Sequence, residues 1–406
     1  MKLRQYQIEL SELATKKLMQ FNIVYLAMEV RTGKTLTALN VAELINAKNV
    51  LFLTKKKAIS SIQSDYNKFG FDFNLTVIND ESMHKLTESF DLIIHDEHHR
   101  FGSFPKPSKG AKMFRDKFGH LPMIFLSGTP HPESYSQIYH QFWVSRYSPF
   151  NQWTSFYKWA NDFVNKKVKH LGHGTVNDYS DAFKDKIDTF IEKYMITFTQ
   201  SQAGFSTNVI ENVLTVEMKP STYNLCNRLK RDLVIEGSDE VILADTGVKL
   251  MQKLHQMYSG TVKFESGNSQ VLDDSKTQFI RDKFKNNKIA IFYKFKAELD
   301  MILNTFDNIT QDVSEFNSDK NKWIALQIVS GREGVNLSKA DYLVYLNIDF
   351  SAVSYWQSRD RLTTMERLSN DVFWIFSKGG IEKKIYNTVK NKKDFTLSVF
   401  KKELLN

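Results

Sequence analysis

The sequence predicts an α/β protein of two domains with mainly parallel sheets. Three observations carry this. Short apolar runs that read as strands alternate with helical spacings, once in each half of the chain. The runs are continuously apolar, as strands covered on both faces must be. The chain has 406 residues, enough for two or three domains, and 42% of them are hydrophobic, enough to fill real cores.

In order, the first strand is "IVYLA" (23–27), apolar and partly β-branched. "KTLTALNVAELI" from Lys34 spaces its apolar residues as a helix does. Strands follow at "NVLFLT" (49–54), "LTVI" (75–78), "DLIIHDE" (91–97) and "PMIFLSGTP" (122–130), with helical patterns between most of them. From about 131 to 206 the texture changes. An aromatic-dense stretch shows no strand signal, "KKVKHLGHGTVNDYS" reads as a basic loop, and "YSDAFKDKIDTFIEKYM" as a helix. This segment is expected to be a helical insertion closing a first domain of residues 1–206. The second domain, 207–406, opens with a strand in "VIENVLTVEM" and continues with helices to about 256. "SGTVKFESGNSQVLDDSK" (259–276) reads as an exposed polar loop. Strands then recur at "KIAIFYKF" (288–295), "WIALQIVS" (323–330), "YLVYLNID" (342–349) and "DVFWIFSK" (371–378). No repeat of fixed period and no low-complexity tract interrupts this plan.

The net charge is +9, which favours a polyanionic partner. The single cysteine, Cys226, excludes an intramolecular disulfide framework, suits a reducing cytoplasm and reads as a small buried apolar residue. No run approaches the ~18 apolar residues of a membrane span. The opening "MKLRQYQIEL" lacks the apolar core of a signal peptide.

The residues that carry chemistry begin with "RTGKT" (31–35), between a strand and a helix. That geometry points backbone N–H groups at an anion. Gly33 lets the backbone approach phosphate, Lys34 can reach the β- and γ-phosphates, and Thr35 can ligate Mg²⁺. The full G-x-x-x-x-G-K-[ST] pattern is incomplete, because Met28 stands at its first glycine. Asp96 and Glu97 end an apolar strand, a placement suited to holding Mg²⁺ through water and polarising an attacking water. A zinc site at His95, His98 and His99 is disfavoured, since the strand offers no further ligands nearby.

"LRQYQ" (3–7), "TGKT" (32–35), "DEHH" (96–99), "SGTP" (127–130), "GREGVNL" (331–337) and "WQSRDR" (356–361) occur in the order used by superfamily-two helicases. Each is weak alone, but six in order are strong together. The chain most resembles the Swi/Snf-type ATP-dependent DNA translocases, in the compact form encoded by bacteriophages and bacteria. The resemblance covers nearly the whole chain and implies two RecA-like domains that use ATP and Mg²⁺. It implies that Gln7, with Arg4 in the same motif, binds the adenine end of the nucleotide. Thr32, Gly33, Lys34 and Thr35 would cradle the phosphates, Thr35 and Asp96 would hold the metal, and Glu97 would activate water. Ser127 and Thr129 would couple the nucleotide state to domain movement. Gly334 and Asn336 would line the interdomain cleft, and Arg361 would reach the γ-phosphate across it.

Three positions depart from the family pattern. Arg31 and Arg332 stand where glycines are usual, and the second arginine of the Gln-x₃-Arg-x₂-Arg spacing is Thr364. Arg359 and Arg367 are the other candidates for it. Arg359 and Arg361, two apart on a helix, would point ~200° from each other and could not share a target. Arg31 either aims its guanidinium at phosphate or points to solvent.

Nucleic-acid contacts are expected from Thr54, Lys55, Lys56 and Lys57 at a strand-to-helix turn, and from Lys294 in "YKFK" at the equivalent place in the second domain. Trp143, Trp153 and Trp159 could stack on bases, although helical aromatics mostly build cores. The expected function is a monomeric, cytoplasmic, ATP-hydrolysing motor on DNA. An RNA helicase and a non-motor nucleic-acid-binding protein with a degenerate ATP site are the alternatives.

Overall fold

The apolar runs of the first half become the strands of one parallel sheet. The computed structural model describes residues 2–132, 134–171, 174–205, 208–331, 335, 337–362 and 369–391. The chain divides into two units, Met1–Phe205 and Ser206–Asn406. Each is an α/β, RecA-like domain on a six-stranded, wholly parallel sheet.

Unit 1 runs α1 (Gln5–Phe21), β1 (Ile23–Met28), α2 (Lys34–Leu44), β2 (Asn49–Thr54), α3 (Ile59–Phe69), β3 (Asn74–Asn79), β4 (Leu92–His95), α4 (Lys109–Phe118) and β5 (Met123–Leu126). Then come α5 (Gln137–Trp143), α6 (Phe156–Phe163), β6 (Lys167–Leu171), β7 (Gly174–Asp178), α7 (Lys184–Ile191) and β8 (Met195–Phe198). The sheet order is β3-β2-β4-β5-β1-β8. Alternation along β1 shows why the run is apolar throughout. Ile23 and Tyr25 pack into one core while Val24, Leu26 and Met28 pack into the other. All strands being parallel, the loops after β1, β2, β4, β5 and β8 leave by the same edge, which is where open α/β sheets bind ligands.

The segment 131–206 holds the expected helices and two features its sequence did not announce. "KKVKHLGHGTVNDYS" is not a loop but carries the antiparallel hairpin β6–β7. The expected helix stops at Ile191, and β8 begins at its last expected residue, Met195, and joins the sheet beside β1. Both were hidden because they are short and, in the hairpin, polar and glycine-bearing. The aromatics form a core rather than a stacking platform. Trp159 is fully buried with Tyr139, Phe142, Phe150, Phe156 and Phe163, and Trp143 and Trp153 pack against the same cluster.

Unit 2 runs β9 (Asn208–Val216), α8 (Pro220–Asp232), β10 (Val234–Glu236), β11 (Val241–Leu243), α9 (Gly247–Tyr258), β12 (Thr261–Lys263), β13 (Ser269–Val271), α10 (Ser275–Phe284) and β14 (Ile289–Tyr293). It continues with α11 (Lys296–Thr305), β15 (Ile309–Thr310), α12 (Val313–Ser318), β16 (Trp323–Gln327), α13 (Ile328–Gly331), β17 (Tyr342–Tyr345), α14 (Ala352–Arg359), β18 (Ser369–Ser377) and α15 (Glu382–Lys390). The sheet order is β15-β16-β14-β17-β18-β9. Residues 259–276 are not an exposed loop. They form the hairpin β12–β13 and enter α10, where Lys276 is fully buried. Its ammonium lies 2.6 Å from the equally buried Glu382 carboxylate at the start of α15. Among the described residues, no helix is long and apolar enough to cross a membrane.

Two buried groups make this architecture testable. Lys276→Met should destabilise unit 2 by about 3–5 kcal/mol, because it strands the Glu382 charge, and Lys276→Met with Glu382→Leu should recover most of the loss. Thermal unfolding of the full chain checks it, through the midpoint of the first transition to move. Cys226 lies within α8 with no exposed surface, and burial pushes its thiol up to about 12. It should react with Ellman's reagent only after unfolding, and reaction at the rate of a free thiol in the native protein would contradict its placement.

Candidate nucleotide and catalytic site

The loop between β1 and α2 is shaped by two left-handed residues, Arg31 at φ +63° and Gly33 at φ +83°. Arg31 therefore occupies the conformation a glycine would take, and the chain accepts the steric cost, of order 1 kcal/mol, of a side chain there. At Gly33 a Cβ would lie 2.1 Å from Gln7 Nε2, so a side chain there would force Gln7 to shift. Met28 is also explained. It is the last residue of β1 and sends its side chain into the core, away from the loop.

The loop's carbonyls are held from several directions. Lys34 Nζ donates to Met28 O at 2.8 Å and Glu29 O at 3.1 Å. Thr32 Oγ1 donates to Glu29 O at 2.7 Å. The Tyr6 hydroxyl donates to Thr32 O at 3.2 Å, and Gln7 Nε2 reaches Gly33 O at 3.5 Å. Gln7 is buried, and its Oε1 accepts the Arg4 N–H at 2.9 Å. Arg4 Nη1 donates to the Tyr6 hydroxyl at 3.0 Å. The "LRQYQ" motif thus braces the phosphate loop. Thr35 lies in the first turn of α2, partly exposed.

Asp96 and Glu97 follow β4 on the same sheet edge. Asp96 Oδ2 accepts from Thr54 Oγ1 at 3.0 Å and Oδ1 from the Glu97 N–H at 3.0 Å. Burial, and then the neighbouring Glu97 charge, raise the Asp96 carboxyl well above the usual range, while Lys34 and the Thr54 hydrogen bond pull it back. Burial would raise Glu97 too. Its hydrogen bond and charge interaction with His99, then Lys34 and Lys55, outweigh that and hold it low. Glu97 itself is left-handed, at φ +49°, which turns its side chain back to His99. His99 Nδ1 lies 3.2 Å from Glu97 Oε2 and 3.0 Å from Ser127 Oγ. Ser127 Oγ also accepts the Thr129 N–H at 3.1 Å, and Thr129 Oγ1 is buried without a partner. At Gly128 a Cβ would stand 3.6 Å from Lys34 Nζ, so the "SGTP" turn adjoins the phosphate loop.

One expected nucleic-acid residue in unit 1 is corrected by this arrangement. Thr54 is buried, with its hydroxyl turned to Asp96, and is not offered to a backbone phosphate. Lys56 and Lys57 are exposed at the turn and Lys55 partly so. His95 and His98 are buried core groups. Their Nδ1 atoms lie 2.6 Å apart, His98 stacks on Phe125, and its Nε2 meets Gln141 O at 2.7 Å.

In unit 2, Lys294 meets an acidic partner. Its ammonium pairs with Asp349 at 2.6 Å and sits 4.0 Å over the Phe350 ring, both largely buried. Arg359 ends α14 and pairs with Glu211 of β9 at 2.7 Å, its guanidinium over Trp356. Glu211 also accepts from the hydroxyls of Tyr355 (2.6 Å) and Tyr386 (2.7 Å) and from Trp374 Nε1 (3.2 Å). Arg361 lies in the 3₁₀ turn after α14, its Nε donating to Gln357 O at 3.1 Å. Arg359 thus faces an acidic core partner. Gly334 and Asn336, with Arg332, Thr364 and Arg367, lie outside the described residues.

Residues 1–74 match the family described as the res subunit of type III restriction enzymes. The match covers α1, the phosphate loop, α2, β2 and α3, so the resemblance drawn from "LRQYQ" and "TGKT" holds there. No curated protein matches the chain. Among solved structures the chain is similar to the Sulfolobus solfataricus SWI2/SNF2 ATPase core in complex with dsDNA. Identity is 17%, all of this chain and 93% of that chain are covered, and the TM-score is 0.43.

The residues that sequence reading missed are His99 as the Glu97 partner, and Glu211. "DEHH" held the first signal, and a lone carboxylate inside the apolar strand "VIENVLTV" held the second. Glu211→Ala should cost about 3–5 kcal/mol by leaving Arg359 and three other donors without their acceptor, read as a fall in unfolding midpoint. Gly33→Ala should weaken binding of a fluorescent ATP analogue more than about tenfold, through the forced shift of Gln7 and the left-handed strain.

Proposed function

We propose that this chain is an ATP-dependent motor that hydrolyses ATP and moves on DNA, acting in the cytoplasm in bacterial or phage replication, recombination or repair. One observation carries the reading. A phosphate loop, a buried carboxylate pair and the Ser127–Thr129 turn stand at one edge of one parallel sheet, and His99 bonds the last two together.

The site fits a nucleotide with a divalent cation. Two adjacent buried carboxylates disfavour each other's charge, and a cation removes that conflict. Thr35 and Asp96 would hold Mg²⁺, which supplies charge neutralisation on the phosphates. Lys34 exchanges the Met28 and Glu29 carbonyls for phosphate oxygens. Glu97, kept ionised by His99, polarises the attacking water. A change at the γ-phosphate alters Glu97, and the Glu97–His99–Ser127 contacts carry it to the turn after β5. In unit 2, Arg361 supplies positive charge to the transition state. DNA would be held by Lys55, Lys56 and Lys57 and favoured by the net charge of +9. Similarity to an ATPase core seen with dsDNA motivates the choice of DNA.

The test is the ATPase rate with duplex DNA, single-stranded DNA, RNA or no nucleic acid. Stimulation by DNA with affinity falling steeply with salt is expected; stimulation by RNA alone would make this an RNA motor, and none a non-motor binder. Glu97→Gln should retain nucleotide binding and lose hydrolysis. Arg361→Ala should cut stimulated turnover on the order of 10²-fold or more at nearly unchanged DNA affinity. If Arg359→Ala shows that pattern and Arg361→Ala does not, the finger is misassigned.

A further inference from the structure

The phosphate loop is also gripped by the last turn of unit 1, residues 199–205, which none of the matched motifs includes. β8 lies beside β1 with Phe198 opposite Met28. Just beyond, the Glu29 N–H donates to Phe198 O at 2.9 Å. The Gln200 N–H donates to the Glu29 carboxylate at 2.7 Å, and Gln200 Nε2 donates to Val30 O at 3.0 Å. The Phe198 ring stacks on Tyr6, 5.0 Å between centroids, and Tyr6 in turn holds Thr32 O.

The turn is closed on itself. Gln202 Oε1 accepts from the Thr199 N–H at 2.8 Å, the Ala203 N–H reaches Thr199 O at 3.1 Å, and the Phe205 N–H reaches Gln200 O at 3.0 Å. These bonds tie the turn together and join it to the Val30 peptide, so a displacement of that peptide would be passed to the turn. Phe205 ends unit 1, and the chain passes directly into unit 2.

We propose that Gln200, working through Glu29 and Val30, is a positioning residue of the nucleotide site, and that the turn 199–205 responds to phosphate in the loop. Val30 O precedes the left-handed Arg31 and Thr32 O precedes Gly33. A carbonyl rotated inward at either place would set a partial negative charge against a phosphate oxygen. Gln200 holds the first outward and Tyr6 the second. Glu29 is the shared element: Lys34 and Thr32 bond its carbonyl, Gln200 its carboxylate. When phosphate draws Lys34 away, the hydrogen bonding of Glu29 is rearranged, and the turn attached to it feels the change.

The inference rests on the nucleotide reading above, and its test separates the two. Binding of a fluorescent ATP analogue and hydrogen exchange with and without Mg·ATPγS are measured on the full chain. In the wild type, amides of 199–205 should slow several-fold on nucleotide addition. In Lys34→Ala, which should not bind, they should not change. Gln200→Glu, which replaces the donor to Val30 O with a repelling oxygen, should weaken nucleotide binding and raise KM for ATP about tenfold. Its kcat and DNA affinity should change less than twofold. Gln200→Ala should fall between the two. Wild-type protein that binds nucleotide with no change of exchange at 199–205, together with variants that bind as the wild type does, would overturn the positioning role while sparing the nucleotide site. A wild type that binds no nucleotide would overturn both.

Discussion

The physical constraint behind unit 1 is the burial of two adjacent carboxylates at the end of one strand. Neither Asp96 nor Glu97 can keep its charge out of water without help. The help is divided unequally. Glu97 takes a histidine and two lysines, with its own backbone left-handed. Asp96 takes the Lys34 charge, a hydroxyl and an amide, too little to offset its burial and its neighbour. The inequality holds the Glu97 carboxyl low and leaves the Asp96 carboxyl raised. Thr54 is drawn inward for the same reason, its hydroxyl turned to Asp96.

The parallel sheet makes these groups neighbours. β1, β2, β4, β5 and β8 come from separated parts of the sequence, yet all end on one edge. The second unit repeats the plan with different chemistry. There the comparable buried charges are already matched, Lys294 with Asp349, Lys276 with Glu382 and Arg359 with Glu211. Satisfied pairs of this kind hold elements in register and have little left over for a ligand.

Most of the fold was legible because fully covered strands are long apolar runs whatever their order in the sheet. The order itself was not legible, nor were β8 and the three hairpins, whose strands are only three to five residues long and carry weak alternation. At the site, Gly33, Lys34, Asp96 and Glu97 could be picked out because their spacing around strand ends is chemically restrictive. Thr54 and Lys294 each have a partner that the sequence did not show, for one reason. Residue type and position at a strand end say that a group is near the edge, but not whether it turns outward or meets a partner from a distant segment. Asp96 and Asp349 were those partners. Arg31 and Met28 looked like defects in a motif, and backbone conformation and core packing account for both.

The solitary, sequestered Cys226 gives the molecule a practical property. Native thiol chemistry begins from a silent background, so no cysteine need be removed before new ones are introduced. One reporter cysteine on an exposed helix position of each unit, carrying a donor and an acceptor dye, would turn the chain into its own ruler. Distances between the units could then be followed, molecule by molecule, through a cycle of nucleotide addition and removal.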